Sequence, residues 1–169
     1  MNCDLIIKAL SQYGVKEIPG KEHNPQIIEY FKVSGHNWVD NDELSWCGAY
    51  VNWVAIKCGY EATKKLSARS WLEIGIPVLE IVGDKLVWAE RPTLEDLEKG
   101  NLPKAKVGDI VVLWRISKDS IYGHVGFYIG DVDDDYIWVL GGNQNNGVNI
   151  SAYPKSRILG YRRLRKLSQ

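Results

Sequence analysis

Hydrophobic periodicity changes once along this chain, and that change restricts the fold more than any single motif. Up to Gly59 the apolar residues recur at helical spacing; from Lys106 onward they fall in short β-rich runs parted by turn residues. The first helix is expected over 3–13, with Cys3, Leu5, Ile6, Ala9, Leu10 and Tyr13 on its apolar face and Gly14 ending it. Asn24-Pro25 opens a second helix carrying Ile27, Ile28 and Phe31, closed by Gly35. A third runs from about Trp46 to Cys58 and stops at Gly59. Residues 67–72 read as a short helical turn. Strands are expected at 109–115, 124–132, 136–142, 148–153 and 158–163, with turns at 133–135 and 145–147. Sequential short strands with tight turns imply an antiparallel meander, and helices followed by strands imply the α+β class. Between them, 78–82 and 86–89 around Gly83-Asp84 form a candidate hairpin, and 93–99 a helical turn.

The chain of 169 residues suits one domain spanning 1–169. Its formal net charge is zero, which gives no electrostatic case for nucleic acid or an anionic membrane as partner. No run of 18 apolar residues is present to span a bilayer. The N-terminus lacks a basic region followed by a long apolar run, so no signal peptide is expected. Synthesis in the cytoplasm, and export by a holin or a secretion system, is the corresponding expectation. Three cysteines at irregular spacing describe neither a disulfide framework nor a zinc site, and neither a metal nor a cofactor is expected. Seven Trp and nine Tyr against two Phe fit either a wet groove or a core.

Cys47 carries the chemical signal. It falls in the first turn of the third helix, where unsatisfied N–H groups and the positive end of the macrodipole favour a thiolate. Ser45 or Asp42 is the candidate N-cap. Taken alone, a cysteine there is more often a small buried hydrophobe; Cys58, near the helix C-terminus, reads as packing. Acyl transfer by a thiol needs a base, and a third group to orient the base. His124 opens a strand and is the candidate base; His23 and His36 read as solvated loop residues. Asn143, in Leu140-Gly141-Gly142-Asn143-Gln144, ends the next strand and is the candidate orienting group. Strict alternation puts Gln144 on the opposite face, which makes it the second choice. The backbone N–H of Cys47 would be one oxyanion donor.

Trp46-Cys47-Gly48-Ala49-Tyr50-Val51 resembles the W-C-[AGS]-[AG]-[FY]-V motif of cell-wall cysteine hydrolases of the NlpC and CHAP group, in the papain-like superfamily. Lys106-Val107-Gly108-Asp109-Ile110-Val111 and Gly123-His124-Val125-Gly126-Phe127-Tyr128 are similar to that group's P-G-D and G-H-V strands. Gly141-Gly142-Asn143-Gln144 is similar to the G-G-N-Q of a subgroup often found in phage and prophage proteins. Gly14-Val15-Lys16-Glu17-Ile18-Pro19-Gly20 and Ser67-Ala68-Arg69-Ser70-Trp71-Leu72 also look like that subgroup. The resemblance implies a papain-like fold: the cysteine helix packed on a C-terminal antiparallel sheet of about five strands. It implies hydrolysis of a peptidoglycan amide, as endopeptidase or amidase, with Cys47 as nucleophile, His124 as base and Asn143 as orienting group. Trp46, Trp71 and Gln144 would contact substrate, and an inhibitory or immunity protein could be a partner of this expected monomer. The stretch 79–105 is longer than the usual link and would be an insertion or lid.

Two other readings stand beside this one. The same fold could serve as a silent wall- or partner-binding module, with Trp38, Trp46, Trp71 and Trp88 as its contact surface. Related thiol chemistry on another amide, as in a transglutaminase or a toxin, is the third.

Overall fold

The structure is a computed structural model and describes residues 3–82, 85–88 and 104–168. Three helices come first: α1 (Cys3–Leu10), α2 (Pro25–Val33) and α3 (Cys47–Lys57). A 3₁₀ segment, Ala68–Glu73, leads into seven strands: β1 (Ile76–Val82), β2 (Lys85–Trp88), β3 (Ile110–Trp114), β4 (Gly123–Asp131), β5 (Tyr136–Gln144), β6 (Gly147–Pro154) and β7 (Ile158–Arg163). Asn24 caps α2 by accepting the Gln26 N–H at 2.9 Å, with Pro25 in the first turn, as the sequence implies.

The described residues form one sheet in the order β2-β1-β7-β3-β4-β5-β6, antiparallel at every pairing. The five strands expected after residue 109 are β3–β7, and the hairpin β1–β2 adds two more. Only β3–β6 form the meander. Strand β7 does not continue it beside β6 but returns to pair with β3. Its burial pattern explains the choice: four of its six residues are buried, which suits a strand with neighbours on both sides and not a half-wet edge. Asp109, buried just before β3, fixes the pairing by taking a two-pronged ion pair from Arg163, at 2.9 and 2.8 Å. The expected insertion over 79–105 lies largely outside the described residues, as does the helical turn expected at 93–99. Apart from Lys104 and Ala105, its described part belongs to the β1–β2 hairpin at the sheet edge.

Helix α3 is buried from Cys47 through Ala55, apolar all round, and is therefore the centre of the molecule. It packs against α1, α2, β4 and β5. The sheet alternates as its pleat requires: Ile110 and Val112 of β3 face the helices, while Val111 and Leu113 join a second cluster on the far side with Tyr128, Val139 and Tyr161. Asn52, the one buried polar residue within α3, ties down the following loop. Its amide donates to Lys65 O at 2.9 Å and accepts the Lys64 N–H at 2.8 Å.

Asp42 does not cap α3. It is buried and accepts the N–H groups of Ile18 (3.0 Å) and Asn24 (2.9 Å), with His23 Nδ1 at 3.0 Å from its other oxygen. His23, expected in solvent, is thus part of a clamp on the 18–24 strap; His36 contacts Lys64 O. Burial pushes the Asp42 carboxyl up, but the hydrogen bonds from Asn24, Ile18 and His23 outweigh it, so the group sits below the usual carboxylate value. A depressed carboxyl stabilises the fold above its unfolded value, near 4, and that contribution is lost as pH falls through the folded value. Asp42→Ala is expected to cost about 2–4 kcal/mol at pH 7. Urea denaturation from pH 7 to 3 checks this: the gap between wild type and variant should narrow toward the acid end.

Candidate active site

The cysteine is placed by the tryptophan before it. Trp46 sits at the N-cap of α3, fully buried, with its indole N–H on Glu17 Oε1 at 2.7 Å and its ring against Tyr30. No side chain caps the helix, and the expected cap, Ser45, turns its hydroxyl toward the sulfur instead, 4.0 Å from Sγ. Cys47 is the first residue of α3 and is 2% exposed. It borders a cleft of about 360 Å³ lined by Trp38, Leu44, Ser67, Ile121 and Tyr122. Burial pushes the thiol up. The hydrogen bond and charge of His124, the Val125 N–H and the Ser45 hydroxyl outweigh that, and the thiol is held below its ordinary value. Cys58 behaves oppositely: burial raises it.

His124 stands near the start of β4, opposite Leu113 of β3, and is 5% exposed. Its Nε2 lies 2.9 Å from Oε1 of Gln144. The Gln144 amide cannot turn around, because its nitrogen donates to Asn149 O (2.7 Å), Asn149 Oδ1 (3.0 Å) and Val139 O (3.3 Å). Two of these are backbone carbonyls, which only accept. The oxygen facing the imidazole must therefore accept, so His124 carries a proton on Nε2, and Nδ1 is the ring nitrogen that Gln144 leaves unengaged. Ser151 extends the network by donating to Asn149 Oδ1 at 2.6 Å. Tyr153 stacks flat on the imidazole, with ring centroids 5.1 Å apart and planes 21° apart. Burial, followed by the neighbouring Cys47, pushes the Tyr153 hydroxyl up to about 12, against the pull of Arg115 and Arg157.

Gln144, not Asn143, is the residue paired with His124, and a β-bulge is the reason. Gly141 pairs with Asn149 and Gln144 with Gly147, so two residues, Gly142 and Asn143, oppose Val148 alone. Asn143 takes up the extra length in the left-handed region, at φ 58°. Alternation then restarts one residue later, and Gln144 inherits the face that a regular strand would give Asn143. The turn beyond is a two-residue hairpin of Asn145 and Asn146, both at positive φ as a type I′ turn requires.

The paired glycines serve both sides of this strand. A Cβ on Gly141 would meet Gln144 Oε1 at 2.6 Å and His124 Nε2 at 3.1 Å; one on Gly142 would meet the six-membered ring of Trp46 at 2.6 Å. Gly142→Ala is therefore expected to destabilise by about 1–3 kcal/mol, since the contact is a core ring and not a flexible chain end. Thermal unfolding checks it, and a melting temperature equal to wild type would contradict the packing described.

Two expected substrate contacts are buried instead. Trp46 and Trp71 are both 0% exposed and belong to the core, whereas Trp38, 69% exposed, stands on the cleft wall. The Trp88 side chain lies outside the described residues. Tyr153, Asn149 and Ser151 went unnoticed in the sequence, since an ordinary alternating strand carries them with no motif around them. Among the described residues, no cluster of three or more His, Cys, Asp or Glu could share a metal ion, and no helix is long and apolar enough to cross a membrane.

A cysteine leading a central helix, packed on an antiparallel sheet that carries its histidine, defines the papain-like class of cysteine hydrolases. Residues 39–143 match the CHAP domain, and the chain belongs to that family. The protein is thus a hydrolase of a family of amidases and peptidases acting on peptidoglycan. Searches of curated proteins and of solved structures returned no match.

Proposed function

We propose that the chain hydrolyses an amide bond of peptidoglycan through a thioester on Cys47. His124 Nδ1 takes the thiol proton, and the sulfur attacks the amide carbonyl. The tetrahedral oxyanion faces the Cys47 N–H at the uncapped start of α3. Collapse breaks the C–N bond as the imidazolium passes its proton to the departing amine. Water, deprotonated by the same nitrogen, then releases the acyl group as a carboxylate and restores the thiol. Gln144 holds the tautomer and ring orientation throughout. The observation that carries this reading is the His124–Gln144 bond at 2.9 Å beside a thiol whose ionisation His124 favours.

Mass spectrometry of fragments released from purified peptidoglycan tests the proposal. Wild type should release peptide with new amine and carboxyl ends, and the fragment masses identify the bond as one within the stem peptide or between sugar and peptide. Cys47→Ala should release nothing while keeping the wild-type circular dichroism spectrum. Equal release by that variant sinks the thioester, and wall binding without cleavage by wild type would favour the binding-module reading.

A further inference from the structure

The thiol and the imidazole open onto two different hollows. Cys47 lines the apolar cleft with Trp38, Ile121 and Tyr122, which His124 does not reach. His124 lines a second hollow of about 240 Å³ together with Gln144, Tyr153, Arg115 and Arg157, which Cys47 does not reach.

The chemistry of that second hollow is one-sided. Its lining holds two arginines and no acidic residue. Among the described residues, neither arginine has a carboxylate partner. Arg157 is held in place from below: its guanidinium lies 5.3 Å from the Trp114 ring, and the Trp114 indole N–H donates to Ser156 O at 3.1 Å. Arg115 follows Trp114 directly, with its N–H on Tyr122 O at 3.1 Å. Both arginines act on the Tyr153 hydroxyl, so their charges converge on the ring that stacks against His124.

We infer that this hollow is a subsite for a carboxylate on the residue that supplies the scissile amine. The inference rests on the hydrolase reading for its polarity: the leaving amine collects its proton from His124 and so departs on the imidazole side of the thiol. The acyl half then lies along the apolar cleft, and the amine half meets the arginines. A planar carboxylate suits guanidinium forks, and two of them make the site selective for a free acid over its amide.

The test uses soluble stem peptides released from purified peptidoglycan, either untreated or with their carboxyl groups converted to primary amides. Calorimetric titration into the full-length Cys47→Ala protein should give at least tenfold tighter binding of the untreated peptides. The preference should shrink as salt is raised. Arg115→Gln or Arg157→Gln in that background should each reduce it several-fold, and Lys at either position should keep part of it. Equal affinity for the two preparations, or a preference untouched by both Gln variants, overturns the subsite. Failure of the hydrolase reading shows up separately, as no cleavage by wild type with the binding preference intact.

Discussion

His124→Ala is expected to lower peptidoglycan hydrolysis roughly 10²- to 10⁴-fold, the range that removal of a positioned general base produces. The same change should act on the sulfur itself. Burial opposes the Cys47 thiolate, and the hydrogen bond and charge of His124 come first among the influences that outweigh it. Without the imidazole, burial dominates and the thiol titrates at higher pH. Iodoacetamide labelling of wild type should thus be selective for Cys47 near neutral pH, and the variant's rate–pH curve should move upward. Cys58 serves as the internal reference. Its raised value comes from burial and, to a lesser degree, Asp4, which outweigh the opposing pull of Lys8 and Lys166; the substitution touches none of these. Two unchanged curves would mean that His124 does not govern the thiol, and the proposed mechanism would fail at its first step.

The second large effect separates two adjacent residues. Gln144→Ala removes the acceptor that keeps the imidazole proton on Nε2, and kcat should fall about 10- to 100-fold with little change in KM, the scale on which losing the partner of an oriented imidazole is felt. Asn143→Gly keeps the left-handed conformation that the bulge needs and should leave kcat within a few-fold of wild type. Asn143→Ala, strained at φ 58°, should cost about 1 kcal/mol of stability and show in the melting temperature more than in turnover. Steady-state kinetics of the three variants decide the matter. A kcat loss for Asn143→Gly matching that for Gln144→Ala would return the orienting role to Asn143.

That pair of residues also marks where the sequence stops being legible. The strand from 136 and the turn at Asn145-Asn146 can be read from composition, because β-rich residues and positive-φ residues announce themselves locally. The bulge between them does not, since Gly142-Asn143 is equally compatible with a flat strand end. One extra residue in the ladder reverses every facing after it, so a correct strand gave the wrong neighbour for His124. The tryptophans fail for a related reason. Trp46 and Trp71 look like contact residues because they belong to motif stretches, yet both indoles are buried in the core, that of Trp46 with Glu17 accepting its N–H.

The sequence by itself determined the helices-then-strands order, the cysteine at the head of an apolar helix, the histidine strand and the family to which both belong. These are properties of local period and of motif, fixed by short-range sterics and by which faces must leave water. Only the tertiary structure decided that β7 crosses back to β3, that Asp42 clamps the 18–24 strap and does not cap a helix, that Gln144 reaches the imidazole, and that two arginines share a hollow with it. Each of these depends on residues far apart in the chain finding one another, and their register is set by ion pairs on buried carboxylates, bulges and close glycine contacts that leave no periodic trace.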